Sequence, residues 1–281
     1  MYKIVSKQEV GLKVQSYEIY APEIAKNAKA GQFIIFRIDD KGERVPLTIV
    51  STNPQEGLVR IIFQETGKST EHLASLCKGD CIRDFVGPLG HPTEIKKYGT
   101  VIAVAGGVGV AEVLPVIKVL RKVGNKIITV VGARSKDLII LENELRQESD
   151  LLLFATNDGT YGVRGFVTDV LRDIISKEKS DMMYVIGPVS MMQAVAELTR
   201  EKRIHTLVSL NPIMLDGTGM CGACRVTIDG KMKFACVDGP EFNGHSVNWE
   251  ELVSRLALFK DLEKISVNKF KNEQEHKCYR K

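Results

Sequence analysis

Cys221 and Cys224 stand as a C-x2-C pair, and Cys236 follows twelve residues later. Thiolates at such spacing hold zinc or an iron–sulfur cluster. Both kinds of site usually take four protein ligands, so three thiols leave one place to fill. The segment before the pair, NPIMLDGTGM (211–220), contains no cysteine, and the fourth ligand is an open question at this point.

A second group of residues suits phosphate. AGGVGVAEVLP (105–115) follows an apolar strand and opens a helix. Glycines there let backbone N–H groups approach a pyrophosphate at the positive helix end. The G-x-G-x-x-G pattern is incomplete, because Glu112 stands where the third glycine would follow Gly107 and Gly109. A tight turn without ligand fits this run equally well. TNDGTYGVRGFVTDVL (156–171) puts Asp158, Gly159 and Gly162 after another strand, and IGPVSMM (186–192) puts Gly187 and Pro188 after a third. Three such loops at the C-terminal ends of parallel strands point to a bound nucleotide. Arg134 and Lys136 in GARSKD suit a 2′-phosphate or the ribose side, so NAD and NADP both stay open.

In RVPLTIVS (44–51) an arginine near a Pro-Leu-Thr strand can meet a phosphate while the strand backbone faces a flavin ring; an ordinary strand after a turn is the plainer reading. In ETGKSTEHL (65–73), Gly67 to Thr70 form a helix N-cap that can also hold a pyrophosphate. Cys77 and Cys81 have no further thiol cluster nearby and are expected to be buried small residues. Cys278 is expected to be incidental. His72, His91 and His205 lack a partner pattern and are expected to be structural or at the surface.

The elements that must position these residues fall into blocks. Residues 1–98 hold short runs rich in Ile, Val, Phe and Thr: YKIVSKQEV, LKVQSYEIYA, QFIIFRID, PLTIVST and LVRIIFQE, with turn residues between them. Only STEHLASLC has helical spacing there, so a small antiparallel barrel is expected. Over 99–210, the strand-like runs TVIAVA, KIITVVGA, LLLFATN, MMYVIGP and HTLVSL alternate with helical segments, which predicts a Rossmann-like parallel sheet covered on both faces. Residues 211–245 form a cysteine lobe, and 246–281 a closing amphipathic helix, VNWEELVSRLALF, with a basic, frayed helical tail. The net charge of +4 is too small to suggest nucleic acid, and no apolar run approaches a membrane span of roughly 20 residues. MYKIVSKQEV lacks the apolar stretch of a signal peptide. Six cysteines in 281 residues are too few for a disulfide scaffold, so a cytoplasmic protein with a metal site is expected.

These motifs, in this order and with GPLGHP (87–92) at the barrel exit, resemble the ferredoxin-reductase-like flavoproteins. The resemblance runs from the first strand to about His245. It is greatest to the electron-transfer subunits that carry FAD and a 2Fe–2S cluster. These include the iron–sulfur subunits of dihydroorotate dehydrogenases and, more nearly, the small subunits of NADH-dependent reduced ferredoxin:NADP oxidoreductases, also described as sulfide dehydrogenase beta subunits. The resemblance implies that Val45, Pro46, Leu47 and Thr48 line the isoalloxazine and ribityl chain of FAD. Ile62, Phe63 and Gln64 would run beside it, with Gly67, Ser69 and Thr70 at the pyrophosphate. Gly106, Gly107, Val108, Gly109, Asp158, Gly159, Gly187, Pro188 and Met191 would hold NAD(H). Many relatives have Arg directly before the Pro of the flavin strand; here Val45 stands there, and Arg44, carried over as a cofactor contact, lies one residue earlier on the opposite strand face. Ile186 stands where many relatives have Cys before Gly-Pro.

Dihydroorotate dehydrogenase subunits have a fourth cysteine a few residues before the C-x2-C pair. The nearer small subunits resemble this chain in placing Asp there, so the resemblance makes Asp216 the fourth ligand beside Cys221, Cys224 and Cys236. An ordinary turn aspartate and a Cys3Asp zinc site are the competing assignments. The expected function is therefore electron transfer: hydride exchange with NAD(H) at FAD, and single electrons through 2Fe–2S. The resemblance further implies a larger glutamate-synthase-like partner with a second FAD, 4Fe–4S clusters and the NADP site, ferredoxin as an indirect partner, and electron bifurcation in the heterodimer. A dihydroorotate dehydrogenase electron-transfer subunit and a zinc-stabilised nucleotide-binding scaffold are the rival readings.

Overall fold

The computed structural model describes the backbone of residues 1–278 and the side chains as far as residue 272. The chain begins with strands β1 (Tyr2–Gly11) and β2 (Val14–Tyr20), helix α1 (Pro22–Asn27), then β3 (Phe33–Arg37), β4 (Val45–Thr48), β5 (Ser51–Asn53) and β6 (Leu58–Gln64). Helix α2 (Lys68–Ser75) follows, with β7 (Cys81–Ile82) and β8 (Asp84–Leu89). All strand pairings here are antiparallel, in a sheet of order β5-β6-β2-β1-β7 and a second of order β4-β3-β8. Their apolar faces meet in one core that includes Ile4, Tyr17, Ile34, Phe36, Phe63 and Phe85. This is the antiparallel barrel that the alternating runs imply.

The run PLTIVST does not form one strand. Ile49 N–H donates to Gln32 and Val50 N–H to Arg60, so the chain passes from one sheet to the other between β4 and β5. Cys77 and Cys81 are exposed, not buried as their small size suggests. The intervening Lys78, Gly79 and Asp80 form a surface turn, in which the Asp80 carboxylate accepts the Cys77 N–H at 2.8 Å.

The second half alternates strictly at first. β9 (Thr100–Gly106), α3 (Val110–Lys122), β10 (Lys126–Ala133), α4 (Glu142–Glu148), β11 (Leu151–Thr156), the short β12 (Val163–Arg164), α5 (Val167–Lys177), β13 (Met182–Ile186), α6 (Val189–Arg200) and β14 (His205–Ser209) build a parallel sheet. β9 lies in the middle of the order β12-β11-β10-β9-β13-β14, with one antiparallel strand added beyond β14. Its residues 101–105 are wholly buried, as a strand covered on both faces requires. α3 buries Val110, Val113, Leu114, Ile117 and Leu120, a stripe at helical spacing against that sheet.

The cysteine lobe adds a hairpin, β15 (Arg225–Ile228) and β16 (Lys231–Phe234), and a single helical turn, α7 (Ala235–Asp238). The last strand, β17 (Glu241–Asn243), pairs antiparallel with β14, so the chain rejoins the sheet inside the segment that the sequence assigns to the lobe. α8 (Trp249–Ala257) caps its first turn with Asn248, whose side chain accepts the Glu251 N–H. α9 (Lys260–Cys278) returns to the barrel, where Lys271 pairs with Glu71 of α2 at 3.1 Å and Phe270 packs on His72. The Cys278 side chain and residues 279–281 lie outside the described residues. Among the described residues no helix is long and apolar enough to cross a membrane.

Candidate functional site

A cavity of about 600 Å³ opens at the C-terminal ends of β9, β10, β11 and β13. Gly106, Gly107, Val108, Pro188 and Met191 line it, together with Arg134 and Asn157. Gly106 has no room for a side chain: a Cβ there would lie 2.7 Å from both Met191 Sδ and Pro188 Cδ. A Cβ on Gly109 would lie 2.9 Å from the Ile186 carbonyl oxygen, so Gly109 packs the helix onto β13 and does not itself line the space. Gly187 lies against the Gly106 backbone. Asp158 does not face the cavity. Its Oδ1 accepts the Thr160 N–H at 3.0 Å and the Thr160 hydroxyl at 2.7 Å, which pulls its pKa down. Gly159 lies against the Arg164 side chain. The neighbouring Asn157 is the polar residue of this loop that reaches the cavity.

A second cavity, of about 350 Å³, lies between the barrel and α3. Val45, Pro46, Leu47, Thr48, Ile62, Phe63, Gln64 and Thr70 all line it. Gln64 and Val108 line both cavities and form their common wall. The Thr70 hydroxyl accepts the Thr66 and Gly67 N–H groups at 3.1 Å each, which fixes the turn opening α2. Ser69 Oγ donates to the Glu43 carboxylate at 2.6 Å. Arg44 turns away from this cavity: its Nε donates to the Leu215 carbonyl at 2.6 Å and its Nη2 to that of Asp216 at 3.3 Å.

Three acidic or phenolic groups at this cavity escape the sequence reading. Glu112 lines it and is only partly exposed. Burial pushes its carboxyl up to about 7, and the neighbouring Thr48 hydroxyl opposes that rise. Tyr184 also lines the cavity and donates to Glu241 Oε1 at 2.8 Å; Thr93 Oγ1 donates to the same oxygen. Burial raises both Tyr184 and Glu241 above their ordinary values. The one sequence signal was a charge inside the apolar run VAEVLPVI.

The cysteine lobe closes the far side, where Leu210, Met214 and Pro240 also line the barrel cavity. Cys224 and Cys236 are buried with sulfurs 3.2 Å apart, while Cys221 is exposed. Burial first, then the adjacent Cys224, pushes the Cys236 thiol up to about 12. Asp216 Oδ2 accepts N–H groups from Thr218 at 2.9 Å and Met220 at 3.2 Å, and the Thr218 hydroxyl as well. These bonds hold its pKa down, the Thr218 hydroxyl foremost. Among the described residues no three Cys, His, Asp or Glu side chains already converge as a metal cage. Gly217 and Gly219, at φ of +84° and +85°, give the Asp216–Cys221 loop the backbone to fold around a ligand. A buried thiol pair, with a third thiol and a carboxylate on the adjoining loop, is a donor set that suits iron and sulfide.

The family model for the iron–sulfur cluster binding domain of dihydroorotate dehydrogenase B matches residues 211–248, and that for the oxidoreductase NAD-binding domain matches 103–197. The chain is 48% identical over 268 residues, 95% of each chain, to a dihydroorotate dehydrogenase B (NAD(+)) electron transfer subunit homolog of Thermotoga maritima. It is 31% identical to the dihydroorotate dehydrogenase B electron transfer subunit of Desulforamulus reducens, covering 88% of this chain and 97% of the relative. A solved structure of an NADH-dependent reduced ferredoxin–NADP oxidoreductase, studied for flavin-based electron bifurcation, superposes with a TM-score of 0.92. Identity there is 46%, over 96% of this chain and 98% of that one. Phthalate dioxygenase reductase, at 17% identity and a TM-score of 0.58 over 81% of this chain and 85% of that one, shares the fold. The matched family models are those of an iron–sulfur cluster binding domain and an NAD-binding domain, and the relative at 46% identity works by flavin-based electron bifurcation. The chain belongs to the family of dihydroorotate dehydrogenase B electron-transfer subunits and their homologues, and is an oxidoreductase subunit that transfers electrons.

Proposed function

We propose that this chain is the small subunit of a ferredoxin:NADP oxidoreductase, exchanging hydride with NAD(H) and passing single electrons to a partner subunit. The observation that carries this reading is the contiguity of three compartments. Gln64 and Val108 join the nucleotide cavity to the barrel cavity, and Leu210, Met214 and Pro240 join the barrel cavity to the cysteine lobe. Bound FAD supplies the exchange between a two-electron hydride and single electrons. The protein's part is to orient and to exclude water.

In this reading Val45, Pro46, Leu47 and Thr48 face the flavin, with Ile62, Phe63 and Gln64 beside it. Gly67, Ser69 and Thr70 hold its pyrophosphate, for which Ser69 exchanges its bond to Glu43. Gly106, Gly107, Val108, Pro188 and Met191 form the nicotinamide nucleotide site, and Gly109 and Gly187 pack its floor. Asp158 and Gly159 shape the loop that presents Asn157. Asp216, Cys221, Cys224 and Cys236 hold the 2Fe–2S cluster. Arg44 acts on the cluster loop through the Leu215 and Asp216 carbonyls.

The partner in this reading is a larger glutamate-synthase-like subunit with a second FAD, 4Fe–4S clusters and the NADP site, working in the cytoplasm by electron bifurcation. The isolated chain then reduces artificial acceptors with NADH but carries out no NADP-dependent ferredoxin reaction until the partner is added. Full ferredoxin:NADP activity from the purified chain alone would sink the proposal. A dihydroorotate dehydrogenase electron-transfer role is the second reading, favoured by the names of the relatives. Reconstitution with a dihydroorotate-oxidising partner, giving dihydroorotate-dependent NAD reduction, would establish that role instead.

A further inference from the structure

We propose that Glu112, acting with the Thr48 hydroxyl, exchanges the proton that accompanies electron passage through the barrel cavity. The inference rests on the flavin reading above. Glu112 is the third residue of α3, in the first turn after the glycine loop. A surface glutamate there is commonplace, because a carboxylate favours a helix N-terminus. This one is only partly exposed, and it faces a cavity. It lines the barrel cavity together with Thr48 and with Val108, a wall residue shared with the nucleotide cavity.

Among the described residues, no cation pairs with the carboxyl. β9 and β10 present apolar residues to α3. The charges of α4 are engaged elsewhere: Glu142 with Arg146 and Tyr161, and Glu144 with Arg60. On α3 itself, Arg121 faces Asp150. From β13, the phenol of Tyr184 faces the same cavity, and behind it stands Glu241 of β17, which Tyr184 and Thr93 hold. An ion pair therefore does not explain the buried carboxyl. Without a cation, the group sits near the point where acid and base forms interchange at neutral pH.

Electron balance calls for such a group. A hydride is one proton and two electrons. When NADH delivers a hydride and both electrons leave singly to iron centres, each reducing one Fe(III) to Fe(II), one proton remains for every hydride. With FAD bound, the proton lost by a flavin nitrogen would form a bond to a Glu112 oxygen, directly or through Thr48, and the acid would then release it to solvent. In the reverse direction the acid form returns the proton. Tyr184, raised well above its ordinary value, stays protonated throughout and keeps its bond to Glu241.

The test uses the FAD- and cluster-loaded chain and its Glu112→Gln and Thr48→Val variants. Reduction-induced infrared difference spectra are recorded with a flavin-selective reductant, and the rate of electron passage from flavin to cluster is followed from pH 5.5 to 9. The wild type is expected to show a carboxylic acid C=O band that Glu112→Gln lacks, and a rate that rises with pH through about 7. Glu112→Gln is expected to lose that pH step and to slow by about tenfold or more at pH 8, within the range of general acid–base groups. Thr48→Val is expected to keep the band, displaced, because the carboxyl has lost the neighbouring hydroxyl. A band retained in Glu112→Gln, or pH profiles of the two proteins that superimpose, would overturn the inference while leaving the flavin reading intact. Failure of the wild-type chain to bind FAD would overturn both.

Discussion

Arg44 Nε lies 2.6 Å from the Leu215 carbonyl oxygen, so a barrel residue holds the start of the loop that carries Asp216. The guanidinium also reaches the Asp216 carbonyl. Removing it leaves two carbonyls to find water and frees the loop from the barrel. Arg44→Ala is expected to cost about 1 kcal/mol of stability and to raise the rate of iron loss to a chelator severalfold, with FAD content retained. Iron release followed by chelator absorbance, at wild-type rate in the variant, would show that the contact does not matter to the cluster.

Asp216 has two separable roles, as a loop-folding acceptor and as a proposed iron ligand. Asp216→Asn can still accept from Thr218 and Met220 but carries no charge. If Asp216 ligates iron, Asp216→Asn and Asp216→Ala both lose or destabilise the cluster, and Asp216→Cys keeps a 2Fe–2S centre with a shifted potential. An unchanged EPR signal and iron content in Asp216→Ala would remove it from the ligand set.

Gly106 is a crowded point of the nucleotide cavity. A methyl group there meets the Met191 and Pro188 side chains, both of which line the cavity. Gly106→Ala is expected to weaken NADH binding by about tenfold, equivalent to roughly 1.4 kcal/mol, measured by stopped-flow flavin reduction against NADH concentration. In the wild type, NADH is expected to reduce the flavin faster than NADPH at equal concentration; the opposite order would reverse the nucleotide assignment.

Burial of Glu112 also predicts how the FAD-free protein responds to pH. An unfolded glutamate loses its proton near 4.5, whereas this one holds it up to about 7. Between those values the folded state carries the extra proton, so this group's contribution falls as pH rises through the window and is flat below it. Glu112→Gln is expected to be more stable than wild type at pH 8 by on the order of 2 kcal/mol, and nearly equal at pH 5. Urea midpoints at the two pH values test this. Equal differences at both would show that the carboxyl titrates normally.

Periodicity made the barrel and the parallel sheet legible, because β-branched alternation and buried parallel runs leave strong patterns. It did not show that Ile49 and Val50 carry the chain between sheets, since a change of hydrogen-bond partner leaves no trace in residue type. The glycines at 106, 107 and 187 announced the nucleotide loops through backbone demands that few other residues meet. Asp158 accepts from Thr160 within its own turn, a partner that residue type alone does not reveal. Glu112 was visible as an oddity, but its meaning needed Thr48, sixty-four positions earlier, to be brought against it.

The cysteine lobe leaves the parallel sheet after β14 and returns to it in β17, the neighbouring strand. Both of its ends are therefore clamped to one rigid edge. His91 N–H donating to the Gly239 carbonyl at 2.7 Å ties the returning end to the barrel as well. An anchored lobe of this kind would hold a cluster at a fixed distance from a flavin in the barrel cavity. If both groups are bound as proposed, electron passage inside this chain should keep the same pace whether or not a partner is docked.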